Sequence, residues 1–563
     1  MKRFVLILVA LMTVASRPVI AQPPFGNPNH LQLVEATVEE LQLALRTHLI
    51  TSEQLVQMYL NRIAAYDQTG PHLNAFIHLN EHALEEARAR DEERHRGGAH
   101  GPLFGIPVLL KDNVDTAGMP TTAGSVALAG SAPPDDAFIT QKLKDAGAII
   151  LGKATLTEFA NFIAIGMPSG YSSLGGYGFN PYDPRPDPRP LPIGDGRPVL
   201  TPGGSSSGPG IAVAANLVTV AIGTETSGSI LSPGTANNLV GIKPTRGLVS
   251  RDGILPITAD QDTAGPLART VTDAAILLSA IAGFDPNDSA TAPCLVAGNC
   301  EQDYTKFLKK HALRGARIAV PHVPYWVGFS AAQAQIMNDA IAALRNEGAF
   351  VADPYEIPNQ AAISAFGICT SFPAPTNCST VLMYGQKHDL NNYLATRPSA
   401  PVHTLHEIIE FNMMHAAVAL KYGQAIFLAA DQLDTSPGSA DTLRYLNDRA
   451  TDLALTRTGL DAVFNGPDGI AGTDDDFDAI LFPQNRGAAA PAKAGYPSIV
   501  VPGGFVPPTG VVINPAPFGV TFTGRAFSEP RLIALAYAFE QATRHRQAPA
   551  STPPLASDEV NRH

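Results

Sequence analysis

Charged residues are scarce in this chain, and neither sign forms a long run. Asp, Glu, Lys and Arg together make up 16% of the 563 residues, and the formal net charge is −12. A chain without a basic tract lacks the electrostatic footprint that nucleic acids and anionic membranes attract. Its 45% content of hydrophobic residues supplies material for a large buried core instead. We therefore expect a globular protein with no nucleic-acid partner.

Motifs that hold catalytic metals or phosphates are also missing. The 15 histidines are scattered and never form His-Glu-x-x-His, so the sequence gives no support to zinc hydrolase chemistry. No glycine-rich segment continues into the Gly-Lys-Ser/Thr of a P-loop. We expect the protein to work without a cofactor.

One acidic segment is the exception among candidate ligand sites. Residues 465–478, "NGPDGIAGTDDDFD", hold five aspartates in a glycine-rich turn, and hard oxygen ligands at this spacing suit Ca²⁺. The ligands would be Asp468, Asp474 and Asp476. No glutamate closes a twelve-residue loop, so the segment is not an EF-hand. A solvated acidic loop is the favoured interpretation.

Cysteine is rare, and the four cysteines fall into two close pairs. Cys294 lies near Cys300, and Cys369 lies near Cys378. The absence of Cys-x-x-Cys favours disulfides over a metal site in an oxidising compartment, although four cysteines allow three pairings. Free buried thiols are the alternative.

Long apolar runs are confined to the amino terminus. Lys2 and Arg3 precede an apolar run over residues 4–15, and small residues before position 22 suit cleavage after Ala21. The run is too short to cross about 30 Å of hydrocarbon as a helix. We interpret residues 1–21 as a signal peptide, so the mature protein is expected to be exported, to the periplasm or beyond, without a stable membrane anchor.

Helical and strand patterns alternate along the rest of the chain. Capping boxes at Thr37 and Thr51 open two helices, while "IPVLLKDNV", "AGAIILGKAT", "VTVAIGTET" and "FDAILFP" are typical of buried strands. This alternation predicts an α/β sheet covered on both faces. The Pro-rich residues 180–198 are interpreted as a loop inside one domain, and the Pro/Ser/Ala-rich tail over 547–563 as disordered.

Two serine-containing loops raise the question of catalysis. They are "PGGSSSG", residues 202–208, and "GTETSGS", residues 223–229. A phosphate cradle would need the missing P-loop lysine. A nucleophile elbow fits "GSSSG" with Ser206 in the middle, but that motif needs a strand leading directly into the turn, and a Pro/Gly loop precedes it here. Neither hypothesis explains the second loop.

A third hypothesis uses both loops and a lysine. Lys111 follows an apolar strand, where desolvation would lower its pKa and make the neutral amine accessible. Ser205 and Ser229 would then pass protons between this base and a substrate without a histidine. The backbone N–H groups of Thr226, Ser227 and Gly228 could form a concave nest for an oxyanion.

These loops resemble those of a known family. "GPLFGIPVLLKDNVDTAGMPTTAGS", "PGGSSSG" and "GTETSGSILSPGTANNLVGIKPTRGLVSRDGILPI" occur in the order typical of the amidase signature family, and the resemblance extends over roughly residues 35 to 545. It implies a single domain with a large mixed β-sheet between helical layers. It also implies hydrolysis of a carboxamide C–N bond.

The resemblance assigns roles to individual residues. It implies that Lys111 is the base, that Ser205, preceded by a cis peptide, is the bridging serine, and that Ser229 is the nucleophile. Ser206 is a supporting hydroxyl, and the amides of Thr226, Ser227 and Gly228 are the oxyanion loop. The domain would span 30–546, with a catalytic core over about 101–290, a more variable helical part over about 291–460 and closing strands and a helix over about 461–546.

Three departures from the family pattern bear on substrate shape. Ser227 replaces a glycine before the nucleophile, and Pro209 replaces a glycine after the first loop. Leu231 stands where many members carry an arginine, so Glu225, a supporting residue, lacks an expected partner. The substrate is expected to be a small-molecule or peptide amide. The "GTETSGS" variant is similar to that of the peptide amidase subgroup, which deamidates peptide C-termini.

Two alternative functions remain open from the sequence. The first is an aryl or aliphatic acylamidase of the same family. The second, from another class, is a secreted binding protein that uses the amidase scaffold without catalysis.

Overall fold

The computed structural model describes residues 27–98 and 100–562, so the predicted signal peptide lies outside the described residues. The strands are β1 (His30–Gln32), β2 (Phe76–Leu79), β3 (Pro107–Lys111), β4 (Ile149–Ala154), β5 (Tyr171–Ser172), β6 (Gly176–Tyr177), β7 (Val220–Glu225), β8 (Val240–Lys243), β9 (Thr263–Ala268), β10 (Arg317–Ala319), β11 (Phe350–Ala352), β12 (Gly367–Ile368), β13 (Cys378–Ser379), β14 (Ala479–Pro483), β15 (Ser498–Val506), β16 (Ala516–Thr523) and β17 (Glu559–Asn561).

The helices alternate with these strands. They are α1 (Val38–Arg46), α2 (Ser52–Tyr66), α3 (Ala83–Arg96), α4 (Phe138–Asp145), α5 (Ser207–Ala214), α6 (Leu231–Ala236), α7 (Val271–Ile281), α8 (Ala331–Asn346), α9 (Gln360–Ala365), α10 (Val381–Ala395), α11 (Leu405–Met414), α12 (Ala416–Ala419), α13 (Ala425–Asp431), α14 (Ala440–Phe464), α15 (Ala489–Ala494) and α16 (Glu529–Thr543). The predicted capping boxes at Thr37 and Thr51 are both present.

One eleven-stranded mixed sheet forms the centre of the molecule. Its strand order is β11-β10-β14-β16-β15-β8-β9-β7-β3-β4-β2. The neighbours β7, β3 and β4 run parallel, as do β11, β10 and β14, and the other neighbours are antiparallel. Helices pack against this sheet, α5 on β7, α7 on β9 and α16 on β15 among them. The predicted α/β fold with a large mixed sheet in a single domain is confirmed.

The parallel pair β3 and β7 positions the catalytic candidates. Val108, Leu109 and Leu110 of β3 lie opposite Val220, Ala221 and Ile222 of β7. Both strands are fully buried, which suits the neighbouring strands of a covered parallel sheet. Their carboxyl ends therefore meet at one edge, where α/β sheets commonly form ligand sites.

The cysteines are paired locally. Disulfides join Cys294 to Cys300 and Cys369 to Cys378, as the spacing suggested. Within residues 27–98 and 100–562, no helix combines the length and the apolar character that a membrane crossing requires.

The prediction of a disordered tail over residues 547–563 is wrong. Residues 559–561 form β17, which pairs antiparallel with β1. Asp558, just before it, forms a fully buried ion pair with Arg62, with Nη1 and Oδ2 2.5 Å apart. The Pro/Ser/Ala-rich composition gave no indication of this ion pair, because Arg62 lies 496 residues earlier in the chain.

We expect Asp558→Asn to lower the free energy of unfolding by about 3 kcal/mol, because removing one partner leaves the buried Arg62 charge uncompensated. Urea denaturation followed by circular dichroism measures the effect. Glu559→Gln, which changes the neighbouring exposed carboxylate, serves as the control and should leave stability nearly unchanged. Equal stabilities for the two variants would contradict the structural role of the tail.

Candidate active site

Lys111 is the last residue of β3 and is fully buried. Its Nζ lies 2.8 Å from Ser205 Oγ, 2.9 Å from Thr224 Oγ1 and 3.3 Å from the Thr224 carbonyl oxygen. Burial lowers the pKa of the Lys111 amine to about 7, although the nearby carboxylates of Asp262 and Glu225 oppose the shift. Near neutral pH a large fraction of this amine is therefore uncharged.

Ser205 lies in the loop that leads into α5, and the Gly204–Ser205 peptide is cis, as the resemblance implies. The Ser205 side chain is buried against Lys111. The backbone carbonyl oxygen of Ser205 accepts a hydrogen bond from the Thr157 amide at 3.1 Å. The side chains of Thr157 and Ser169 lie so close to Gly204 that a Cβ on this residue would clash with them. Close packing of the backbone thus fixes the position of the Ser205 hydroxyl.

Ser206 joins the two serine loops. Its backbone amide donates to the Ser229 carbonyl oxygen at 3.1 Å, and its hydroxyl donates to the Thr224 carbonyl oxygen at 3.0 Å. The Thr224 amide donates back to Ser206 Oγ at 3.2 Å. These contacts make Ser206 a link between the two serine loops.

Ser229 lies four residues after the end of β7, in the turn before α6. It is only 8% exposed, and in the described residues its hydroxyl makes no hydrogen bond. The structure therefore joins Lys111 to Ser205 directly, and it brings the backbone of Ser229 to the Ser205 loop through Ser206. A hydrogen bond between the Ser205 and Ser229 hydroxyls is not formed in this structure.

The carboxylate of Glu225 holds the turn around Ser229. Its Oε1 accepts from the Gly228 amide at 2.7 Å, and its Oε2 accepts from the amides of Ile230 at 2.7 Å and Leu231 at 3.0 Å. Burial raises the pKa of this carboxyl group, while the Lys243 charge and the three amides lower it. Three backbone N–H groups thus bind the Glu225 carboxylate, whereas many family members carry an arginine at the position of Leu231.

This arrangement corrects the predicted oxyanion loop. The Gly228 amide points to Glu225, so it is not free to bind an oxyanion. The amides of Thr226, Ser227 and Ser229 have no hydrogen-bond partner within the described ranges. The free donors of the turn are therefore those of Thr226, Ser227 and the nucleophile candidate itself, with Gly228 supplying a backbone φ of 87° that favours glycine.

Lys243 is a second buried lysine near the turn. It ends β8, its Nζ donates to the Tyr496 carbonyl oxygen at 2.5 Å, and burial lowers the pKa of its amine to about 8. Glu225 and Glu529 are the acidic groups that oppose this shift. No serine or threonine hydroxyl of the described residues bonds to Lys243. Its charge therefore stabilises the Glu225 carboxylate, whereas Lys111 contacts the Ser205 hydroxyl.

Several polar residues around the site were not singled out from the sequence. Thr224 bonds to Lys111, and the Asn113 carboxamide donates to Thr224 Oγ1 at 3.1 Å. The Asp262 carboxylate accepts from the Thr226 hydroxyl, and burial raises the pKa of Asp262 to about 6. Asp262 immediately precedes β9. Because β9 was not predicted from the sequence, the position of this carboxylate at a strand end was not recognised.

Asn485 also reaches the nucleophile turn from a distant part of the sequence. Its Nδ2 lies 3.2 Å from the point that a Cβ on Gly228 would occupy. The surrounding turn after β14 is held by the Gln484 amide on the Gly519 carbonyl oxygen and by the Ala488 amide on the Asn485 carbonyl oxygen. The Asn485 carboxamide makes no hydrogen bond to the described residues, so it is free to meet a substrate.

The structure does not gather the three candidate Ca²⁺ ligands. Asp468 Oδ1 accepts from the Ile470 amide and Asp476 Oδ2 from the Gly472 amide, each at 2.8 Å, as in ordinary turns. In the parts of the chain that the structure describes, no cluster of three or more His, Cys, Asp or Glu side chains forms a metal-binding geometry. Residues 465–478 form a solvated acidic loop around local turn contacts.

The comparison with known proteins decides the family. The model of the family described as "Amidase" matches residues 54–533. The chain belongs to the amidase family. In fold it is similar to the native peptide amidase of Stenotrophomonas maltophilia, with 41% sequence identity, a TM-score of 0.77 and coverage of 92% of this chain and 99% of that one.

Two further relatives agree. An amidase family protein from Bacillus anthracis shares 34% identity and a TM-score of 0.78, with 92% of each chain covered. An Arabidopsis thaliana protein described as a probable amidase is 37% identical over 524 residues, which is 92% of this chain and 91% of that one. This amidase is thus an amidohydrolase acting on amides, and the alternative of a non-catalytic binding protein falls away.

The lowered pKa of Lys111 predicts how the activity of this amidase depends on pH. Only the neutral amine can accept a proton, and its fraction grows as the pH rises through about 7. We expect kcat/KM for an amide substrate to rise over this range and to level off above it, since kcat/KM reports the free enzyme.

Lys111→Arg is the matched variant for that profile, because its guanidinium stays protonated at every accessible pH. It should be inactive throughout. A wild-type profile that is flat between pH 5.5 and 9, on the order of three and a half pH units around the expected midpoint, would show that Lys111 is not the titrating base.

Proposed function

We propose that this amidase hydrolyses the C-terminal carboxamide of peptides through an acyl-enzyme on Ser229, with Ser205 and Lys111 as a proton relay. The observation that carries the proposal is the buried Lys111 amine, which lies 2.8 Å from the Ser205 hydroxyl at the end of β3. A base of this kind can activate serine without a histidine.

The contacts of Lys111 suit the neutral amine. An uncharged amine keeps two N–H donors and one lone pair. The two donors can go to the Thr224 hydroxyl and carbonyl oxygens, at 2.9 Å and 3.3 Å. The lone pair is then left for the O–H of Ser205, so the geometry favours proton transfer from the serine to the lysine.

The reaction follows from this relay. Lys111 takes the Ser205 proton while Ser205 takes the Ser229 proton, and Ser229 Oγ attacks the amide carbon. This step requires the Ser229 hydroxyl to turn toward Ser205 once substrate is bound, and catalytic hydrogen bonds commonly tighten at that stage. The free amides of the turn stabilise the oxyanion. The protons return along the relay to the leaving nitrogen, ammonia departs, and water cleaves the ester.

The peptide substrate is supported by two observations. The first is the 41% identity to the peptide amidase of Stenotrophomonas maltophilia across 92% of the chain. The second is the unpartnered Asn485 carboxamide beside Gly228, which can donate to the carbonyl and accept from the N–H of a neighbouring peptide bond. An aryl or aliphatic acylamidase of the same family is the second candidate.

Export completes the proposal. The basic start, the short apolar run and the small residues before position 22 are typical of a cleaved signal peptide. The two disulfides agree with an oxidising compartment. The mature enzyme would begin at Gln22 and act in the periplasm or outside the cell.

A fluorophosphonate probe tests the assignment of the three serines. We expect Ser229→Ala to abolish labelling, because the probe reacts with the nucleophile. Ser205→Ala should slow labelling at least a hundredfold, on the order of the loss of an assisting base. Ser206→Ala is the matched control next to it, and it should retain most of the labelling and lose some stability. Loss of labelling in Ser206→Ala alone would instead identify Ser206 as the nucleophile.

Ammonia release from a panel of amides tests the substrate. We expect kcat/KM for blocked dipeptide amides to exceed that for short aliphatic amides and for anilides at least tenfold, because only the peptides offer Asn485 a second amide group. Asn485→Ala should reduce this preference and leave the short amides unaffected. A higher kcat/KM for anilides in the wild type would favour the acylamidase.

A further inference from the structure

We propose that Gln261 is a positioning residue for the oxyanion site of this amidase. By holding the Thr226 carbonyl oxygen, it fixes the Thr226–Ser227 peptide so that the Ser227 N–H faces the accessible side of the nucleophile turn. The inference rests on the proposed acyl-enzyme mechanism, and it adds a residue that touches neither the substrate nor the nucleophile.

The contact behind the proposal is a single hydrogen bond. Gln261 Nε2 donates to the Thr226 carbonyl oxygen at 3.2 Å, and Gln261 is 4% exposed. The peptide between Thr226 and Ser227 is trans, so its C=O and N–H point in opposite directions. Since the carbonyl points to the buried Gln261, the Ser227 N–H points away from it. Ser227 is half-buried whereas Gln261 is 4% exposed, so we take the direction away from Gln261 as the accessible side of the turn.

The next free donor of the turn is fixed in a different way. The Gly228 carbonyl oxygen accepts from the Ser232 amide at 2.7 Å, which is the first turn leading into α6. The main chain therefore orients the peptide that carries the Ser229 N–H. No main-chain donor of the described residues reaches the Thr226 carbonyl oxygen, so the orientation of the Ser227 N–H depends on one side chain.

Other contacts of Thr226 do not replace Gln261. The Thr226 hydroxyl donates to Asp262, which fixes the side chain but leaves the following peptide free to rotate. The Glu225 carboxylate engages the amides of Gly228, Ile230 and Leu231 and skips that of Ser227. A flipped Thr226–Ser227 peptide would present a carbonyl oxygen to the developing oxyanion in place of a donor.

The other end of the Gln261 side chain argues against a role in stability. Its Oε1 is buried and has no hydrogen-bond partner in the described part of the chain. An unpaired buried carbonyl is destabilising, so a methionine of similar shape would suit the packing better. A buried residue that lowers stability is expected where it serves function. Gln261 fits this expectation, because it lies next to the nucleophile turn.

Gln261→Met tests the proposal in the full-length enzyme. We expect kcat for a peptide amide to fall tenfold or more with KM within twofold of wild type, because the lost contact acts only when the oxyanion forms. Affinity for a peptide aldehyde, which forms a tetrahedral adduct with the nucleophile, should fall in parallel. The melting temperature should stay equal or rise.

Gln42→Met is the matched control. Gln42 is also 4% exposed, and its Nε2 donates to the carbonyl oxygens of Pro102 and Phe104, far along the chain from the serine loops. This variant should lose stability and keep kcat. All rates are normalised to the fraction of protein that a fluorophosphonate labels at saturation, so that unfolded material does not count.

The outcomes separate the two proposals. A wild-type enzyme that releases no ammonia and carries no label on Ser229 would overturn the proposed function, and this inference with it. An active wild type with an unchanged kcat in Gln261→Met would overturn the inference alone. A fall in kcat that Gln42→Met reproduces, or that accompanies a lower melting temperature, would also overturn it.

Discussion

The removal of one lysine amine from water is the constraint on which the proposed mechanism of this amidase depends. A lysine in water is a cation and a poor base at neutral pH. Lys111 closes a strand whose five residues are all buried, and its neighbours β4 and β7 flank it on both sides of the sheet. The eleven-stranded sheet is therefore more than a scaffold, since its buried interior lowers the pKa of the amine to about 7.

Burial alone does not select this lysine. Lys111, Lys153 and Lys243 are all buried at or near the ends of sheet strands. Lys153 donates to the Pro120 carbonyl oxygen and lies 3.4 Å from Asp112, and Lys243 donates to a backbone carbonyl. Only Lys111 of these three meets a serine hydroxyl. Its proposed role as the base depends on the loop that brings Ser205 to it, while burial lowers the pKa of its amine.

Local patterns in the sequence predicted what depends on neighbours in the chain. Capping boxes, the buried strands β3, β4, β7 and β14, and the serine loops all lie within short windows, and their positions agree with the structure. Strands β9 and β16 were missed because a proline as well as a glycine interrupts each apolar pattern, Gly265-Pro266 in β9 and Pro517 with Gly519 in β16. A Cβ on Gly265 would clash with Ile242, and one on Gly519 with Thr235. Likewise, the hydrogen bond from the Gly228 amide to Glu225 depends on the conformation of the glutamate side chain, which no sequence motif predicts. Asn485 is brought to Gly228 by sheet pairing between segments that lie far apart in the chain.

The pairing of β1 with β17 has a consequence for the order of folding. The first and last described strands are each other's only partners in a separate two-stranded sheet of the described residues. Among the described residues, the buried guanidinium of Arg62 likewise finds its carboxylate partner in Asp558. The edge beside the amino-terminal helices is therefore closed only when residues 558–561 reach β1 and Arg62. A chain that lacks residues 558–561 would therefore leave β1 unpaired and the buried Arg62 guanidinium without its carboxylate.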